Sequence, residues 1–239
     1  MATDWVTISS LATAGATLAL AISTFSATRS ANRGARVAQE ALLVGVRPLL
    51  VVSRFSDETQ KIHYGDARAI QLNGGFGVAE VSEKVVYLAV SVRNAGQGIA
   101  VLRGWRLAVG DIGGAQSPQP QQDDFRRQQR DLYIGPADMG FWQGALREED
   151  QQRDDAAKAI DAREVITIDV LYGDFEGGQR AITRFLLRPV SSARDGDNAA
   201  MLAAPGTAEP EPEPEPKAER PRWLASVIRH WSIDRPDPR

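Results

Sequence analysis

The apolar and polar positions of the chain fall into blocks of different period. From Trp5 to Thr28 the sequence reads WVTISSLATAGATLALAISTFSAT, with no charged residue between Asp4 and Arg29. At ~1.5 Å per residue a helix of this length reaches about 36 Å, enough to cross a hydrocarbon core of about 30 Å. The block predicts a transmembrane anchor over residues 1–29. Leu11, Leu18, Leu20, Ile22 and Phe25 supply the apolar surface, and Trp5 suits an interfacial belt. A cleaved signal peptide would need a basic segment ahead of the apolar run, and the only early charge is Asp4. Gly15, Ala19 and Ser23 recur on one helix face, a small-residue spacing through which spans approach one another and the chain could form a homodimer.

Residues 30–48 carry Ala31, Ala35, Ala38, Leu42 and Val46 at steps of three and four. They predict a separate juxtamembrane helix that stops at Arg47-Pro48, because a residue before proline is pushed out of the helical region. The period then changes to two. Strands are predicted at 49–55, 67–72, 84–93, 99–109, 131–134, 139–143, 165–172 and 180–187, with turns such as Asn73-Gly74-Gly75 between them. In the third, Val86, Leu88, Val90 and Val92 share one face, expected to meet the core, and 99–109 is expected to be its partner. The opposite face would be solvated, so a charge at Ser91 should cost little. The last two make a hairpin in which Ile166, Ile168, Val170 and Tyr172 share one face of the first arm, and Phe185 and Leu187 pack on one face of the second. Residues 147–162 are polar nearly all round and predict a solvated helix or an insertion ordered on contact. Short strands without strand–helix alternation argue for an antiparallel β-sandwich of immunoglobulin-like type over 49–190, with a partly closed barrel as the alternative.

Residues 191–221 pass into EPEPEPEP, which cannot bury a core and predicts an extended, disordered linker. Beyond it, Leu224, Val227, Ile228 and Trp231 fall at helical spacing, flanked by Arg222, Trp223 and Arg229. Residues 222–234 therefore predict a short amphipathic helix whose basic, tryptophan-bearing face contacts a membrane surface or a partner.

Composition narrows the function classes. The chain has 239 residues and a net charge of −3, with no arginine-rich face interleaved with aromatics, so nucleic-acid binding has no footprint. Two histidines and no cysteine leave few groups for metal or nucleophilic chemistry, and no catalytic, cofactor-binding or metal-binding residue is assigned. Gly96-Gln97-Gly98 begins like a dinucleotide fingerprint, but no third glycine follows and the next element is a strand. It reads as a turn. Asp169, Asp174 and Glu176 are the only carboxylates close together on the final hairpin, and turn chemistry accounts for them more simply than an acid–base pair. His63 sits in a polar connection, and Trp105 and Trp142 read as packing residues.

Three segments, Arg47-Pro48-Leu49-Leu50-Val51-Val52, VRNAGQGIA from Val92 to Ala100, and the hairpin from Val165 to Pro189, carry a resemblance. The layout resembles uncharacterised bacterial single-pass membrane-anchored proteins that join an N-terminal span, a juxtamembrane helix and a β-sandwich. The resemblance covers about the first four fifths of the chain and implies no activity. Arg29, Arg33 and Arg36 follow the span, and no Lys or Arg precedes it. The positive-inside rule then places the N-terminus outside and the bulk of the chain in the cytoplasm, at the plasma membrane. The expected function is a membrane-anchored, non-catalytic binding or scaffold module whose partners are the lipid bilayer and a membrane protein. The alternatives are a membrane-tethered hydrolase with its acidic site on the final hairpin, and an inverted, extracytoplasmic arrangement.

Overall fold

The computed structural model describes residues 2–110, 118–190 and 222–234. Two compact units follow one another, 1–45 and 46–239. The first is one helix, α1 (Ala2–Gly45). It runs without a break through the positions at which anchor and juxtamembrane helix were expected to separate. Within it Asp4–Gln39 is long and apolar enough to cross a membrane, and none of that stretch is buried. Its many hydroxyls do not oppose this. All eight Ser and Thr side chains from Ser9 to Thr28 donate to main-chain carbonyls three or four residues earlier, at 2.8–2.9 Å. A polar group satisfied inside its own helix can face lipid at small cost.

The second unit is mainly β and antiparallel. Its strands are β1 (Leu50–Val52), β2 (Gln60–His63), β3 (Ala69–Leu72), β4 (Phe76–Val81), β5 (Val86–Asn94), β6 (Ala100–Val109), β7 (Arg126–Ile134), β8 (Met139–Leu146), β9 (Ile166–Gly173), β10 (Arg180–Pro189) and β11 (Trp223–Ser232). Nine of them form one sheet in the order β1-β5-β4-β11-β10-β9-β6-β7, with β8 on the remaining edge of β5. β2 and β3 pair only with each other. A helix, α2 (Arg153–Asp161), lies between β8 and β9. It is not solvated all round, because Ala156, Ala157, Ala159 and Ile160 enter the main core.

The hairpin β9–β10 forms as its alternation predicts. Asp169 lies opposite Arg184 and Ile168 opposite Phe185, and Ile166, Ile168, Val170, Tyr172, Phe185 and Leu187 all join the core. β5 does not pair with β6, the neighbour expected for it. β6 pairs with β7 and β9, whereas β5 takes β1 and β4 on one edge and β8 on the other. The outer face of β5 is covered too. Ile62, Tyr64, Ile70 and Leu72 of the β2–β3 hairpin pack on Tyr87 and Ala89. Ser91 on that face is 1% exposed, and its hydroxyl lies 2.6 Å from that of Ser53. The expectation that this face is solvated is therefore corrected, and His63 belongs to a strand rather than a connection.

The C-terminal segment is a strand, not an amphipathic helix. β11 sits in the middle of the sheet, pairing along β10 and with Gly77 and Phe76 of β4. Its register slips where Arg184 faces Arg229 but Phe185 faces Val227, so Ile228 is an extra residue. Such a bulge inverts the side-chain alternation beyond it. Trp223 and Ala225 enter the main core, while Arg229 and Trp231, past the bulge, share the opposite side with Arg184. Two half-turn alternations out of phase mimic a helical period over Leu224, Val227, Ile228 and Trp231. Trp223 is fully buried, with its indole N–H donating to Ala79 O at 3.2 Å, and Trp231 is buried too, so neither tryptophan offers its ring to a surface. The linker expected at 191–221 lies outside the described residues.

Asn94 closes the corner where β5 ends. Its Oδ1 accepts from Leu49 N–H (3.1 Å) and Gly96 N–H (3.0 Å), and its Nδ2 donates to Gly98 O (2.6 Å) and Ile134 O (3.1 Å). All four bonding positions of this fully buried amide are filled. A Cβ on Gly96 would lie 2.2 Å from Arg47 O, and one on Gly98 1.8 Å from Val46 O, so the glycines serve close backbone approach rather than a phosphate.

Two outcomes are expected of the second unit. Asn94→Asp removes both donors and adds a buried charge, and denaturant melting should show a loss of about 3 kcal/mol or more. Ser91→Asp should be as damaging as Val90→Asp, since both place a charge where no water reaches; a melting midpoint close to wild type for Ser91→Asp would show that the β2–β3 hairpin does not cover this strand.

Candidate functional site

The last strand of the sheet's path, β7, comes close to β8, the strand on the free edge of β5. Trp105 on β6 meets Trp142 on β8 edge to face, with ring centroids 5.4 Å apart. β7 and β8 follow one another through the turn Gly135–Asp138, yet no ladder joins them. In place of main-chain pairing, Gln128 Nε2 reaches across to Gln143 O at 2.9 Å. This leaves a seam with an unpaired strand edge on each side.

A cleft of about 520 Å³ opens over that seam. Its walls are β7, the end of β8, the tip of the β2–β3 hairpin at His63, Tyr64 and Gly65, and the loop through Arg147 and Asp150. β7 contributes most because it bulges. Leu132 pairs with Leu102 and Arg127 with Gly104, so β7 has five steps where β6 has two. The surplus residues Gln128, Gln129 and Arg130 line the cleft.

Four arginines and one aspartate border the cleft. Arg126 is fixed by Asp150, by Gln152 Oε1 at 3.2 Å and by stacking 5.3 Å over Trp105. Arg147 stands 3.8 Å from Asp66, which also accepts the Tyr87 hydroxyl at 2.6 Å. That hydroxyl is the main reason the Asp66 carboxyl titrates below the usual carboxylate range. Burial pushes the Tyr64 phenol upward, so it stays protonated at the cleft wall. Arg127 and Arg130 are different: exposed, with neither a hydrogen bond nor an ion pair among the described residues. Gln128 Oε1 and Gln143 Oε1 are buried acceptors without a donor, and Trp142 Nε1 is a buried donor without an acceptor. Unsatisfied groups of this kind are uncommon in folded proteins.

The carboxylates of the final hairpin do not converge. Asp169 is 1% exposed and holds Arg184 bidentately, Nε–Oδ1 at 2.6 Å and Nη2–Oδ2 at 2.8 Å, with Arg106 Nε 3.8 Å from Oδ2. It lies among arginines on the face opposite Ile168 and Val170, and it is buried there. Asp174 is buried in the turn, its N–H donating to Gln179 O at 3.0 Å, and Glu176 is exposed. Asp169 lies within β9 and Asp174 beyond its end, in the turn to β10. Their geometry describes a structural ion pair and a turn. Among the described residues no three His, Asp or Glu side chains gather in a way that could hold a metal ion.

Trp105 and Trp142 close the fold, and Trp105 also borders the cleft, a double role its isolated sequence position does not disclose. Arg127 and Arg130 were not singled out by sequence; the run RRQQRD, polar at every position inside a strand, is the signal that marks an exposed edge. Gly15, Ala19 and Ser23 lie on the exposed α1, and a Cβ at Gly15 would meet nothing within 4 Å. Compared with known proteins, the chain matches no family model, no curated protein and no solved structure.

The closure has a specific dependence on Gly144. A Cβ there would lie 2.8 Å from Trp142 Cζ2 and 3.2 Å from Trp105 Cε2. Gly144→Ala should therefore push the two indoles apart, at a cost of about 1–3 kcal/mol, and change the near-UV circular dichroism of the tryptophans. An unchanged spectrum with unchanged stability would show that the rings do not meet as described.

Proposed function

We propose that the chain is a single-pass, membrane-anchored recognition module of the non-catalytic kind, akin to the bacterial membrane-anchored proteins its sequence resembles. α1 spans the plasma membrane with its N-terminus outside, and the β unit, a sandwich open along one seam, faces the cytoplasm and binds a partner protein in the arginine-lined cleft. The observation that carries this reading is the pair Arg127 and Arg130, two cations whose side chains have no partner among the described residues, beside buried, unsatisfied amide groups. Sites that bind by complementarity leave such groups for the ligand to complete. A strand edge beside them adds a ready surface for recognition.

Supporting the anchor are the unburied apolar stretch Asp4–Gln39 and the hydroxyls satisfied within the helix. Supporting the orientation is the basic flank Arg29, Arg33 and Arg36. The small-residue face of Gly15, Ala19 and Ser23 is where two copies would meet in the bilayer.

Two measurements test the reading. Neutral substitutions at Arg29, Arg33 and Arg36, with two lysines inserted after Met1, should invert or mix the orientation of a reporter fused after Arg239; identical reporter signals in both forms would refute the charge argument. A photo-crosslinker at Gln129 of the full chain in cells should give one predominant protein adduct, reduced by Arg127→Glu with Arg130→Glu. Absence of any adduct would remove the cleft as the recognition surface.

A further inference from the structure

The identity of the cleft's groups, taken one by one, narrows what can fill it. Arg127 and Arg130 are donors that call for carboxylates or phosphates. Gln128 Oε1 and Gln143 Oε1 are the reverse, buried acceptors that call for N–H groups. A simple anion satisfies the arginines and leaves both glutamine oxygens as they are. A peptide with acidic side chains supplies both at once, carboxylates from its side chains and N–H groups from its main chain.

The strand edge points the same way. Gln143 O accepts from Gln128 and so faces away from β5. Main-chain groups alternate from one edge of a strand to the other, which puts the N–H and C=O groups of Phe141 and Ala145 on the same outward side. They meet no ladder among the described residues. Across the seam, the second edge of β7 is equally unpaired. An incoming segment thus finds main-chain groups on both flanks and arginines along one of them.

Resting on the reading of the cleft as the recognition surface, we infer that the seam between β7 and β8 takes an extended acidic segment of a partner protein, added as a strand along β8 with its carboxylates against Arg127 and Arg130. The chain's own acidic segment, Glu209 to Pro216, has matching charge but the wrong backbone. Proline at every second position removes every N–H that would point to one of the two edges, so this sequence can pair on one side only. A seam with two open edges favours a segment that donates to both.

The test uses the full chain in detergent micelles and fluorescent decapeptides of alternating Glu and Val, alternating Glu and Pro, and alternating Lys and Val. The Glu–Val peptide should bind saturably, and each of three changes should weaken it at least about tenfold: Pro for Val, Lys for Glu, and Arg127→Glu with Arg130→Glu in the protein. Both arginines are exposed, so near-UV circular dichroism of that variant should match wild type, and the Lys–Val peptide should regain binding to it. Equal binding of the Glu–Val and Glu–Pro peptides would overturn strand addition. Full competition by inorganic phosphate at equal concentration of charge would overturn the peptide in favour of a small-anion site. Binding that emerges only after Glu209, Glu211, Glu213 and Glu215 are changed to Gln would make the chain's own segment the occupant and overturn the partner. Failure of every peptide while the Gln129 adduct persists would remove this inference and leave the cleft as a recognition surface.

Discussion

Four hydrogen bonds to one amide side chain hold the corner on which the β unit turns. Asn94 joins the approach to β1, the turn that starts β6 and the end of β7 through a single side chain. The neighbouring groups reinforce it: Asn94 N–H donates to Asp138 O at 3.0 Å, and Arg93 Nη1 to Ala137 O at 3.1 Å. The corner lets β5 and β6 be consecutive without pairing, so that each can lie in a different stretch of the sheet. It also clamps the β7–β8 turn, so the seam between those strands is shut at Ile134 and Asp138 and open toward Gln128 and Gln143. The cleft exists because one end of the seam is held this firmly.

The buried charge pair does a related job on the other side of the sheet. Asp169 and Arg184 face each other across β9 and β10, next to the point where β11 slips register. Arg184 also stacks 4.9 Å over Trp231. Removing one partner of such a pair leaves an uncompensated buried charge, which is far more costly than the net worth of the pair itself. The pair therefore discourages any alternative register of β10, because a one-residue slip would separate the two charges. Of the three carboxylates near one turn in the sequence, Asp169 thus serves alignment.

How much of this was legible depended on whether side-chain period and pairing were simple. The apolar block of α1 and the alternation of β5, β9 and β10 were visible directly, because each obeys one period throughout. β11 was hidden by Ile228, whose insertion breaks a strand pattern into something with helical spacing. β2 and β4 were missed because Gln60 to His63 and Phe76 to Val81 have too few strong apolar residues to stand out. The pairing of β5 could not be read, since the turn after it resembles a hairpin while its glycines serve contact with Val46 and Arg47. The cleft was harder still. It draws His63, Arg127 and Gln143 from three strands, and no local pattern links them.

The position of β11 has a consequence for how the protein is made. Every strand that flanks it is translated earlier, and β4 precedes it by more than a hundred residues. While the chain is still being synthesised, β4 and β10 have edges with no neighbour and the space filled by Trp223 is vacant. Closure waits until the segment up to Ser232 has left the ribosome. A nascent chain is thus in the exposed, pairing-prone condition of an open sheet until β11 emerges, and chaperones are drawn to such a condition. A product truncated before Trp223 keeps those edges open, because no other segment among the described residues pairs with them.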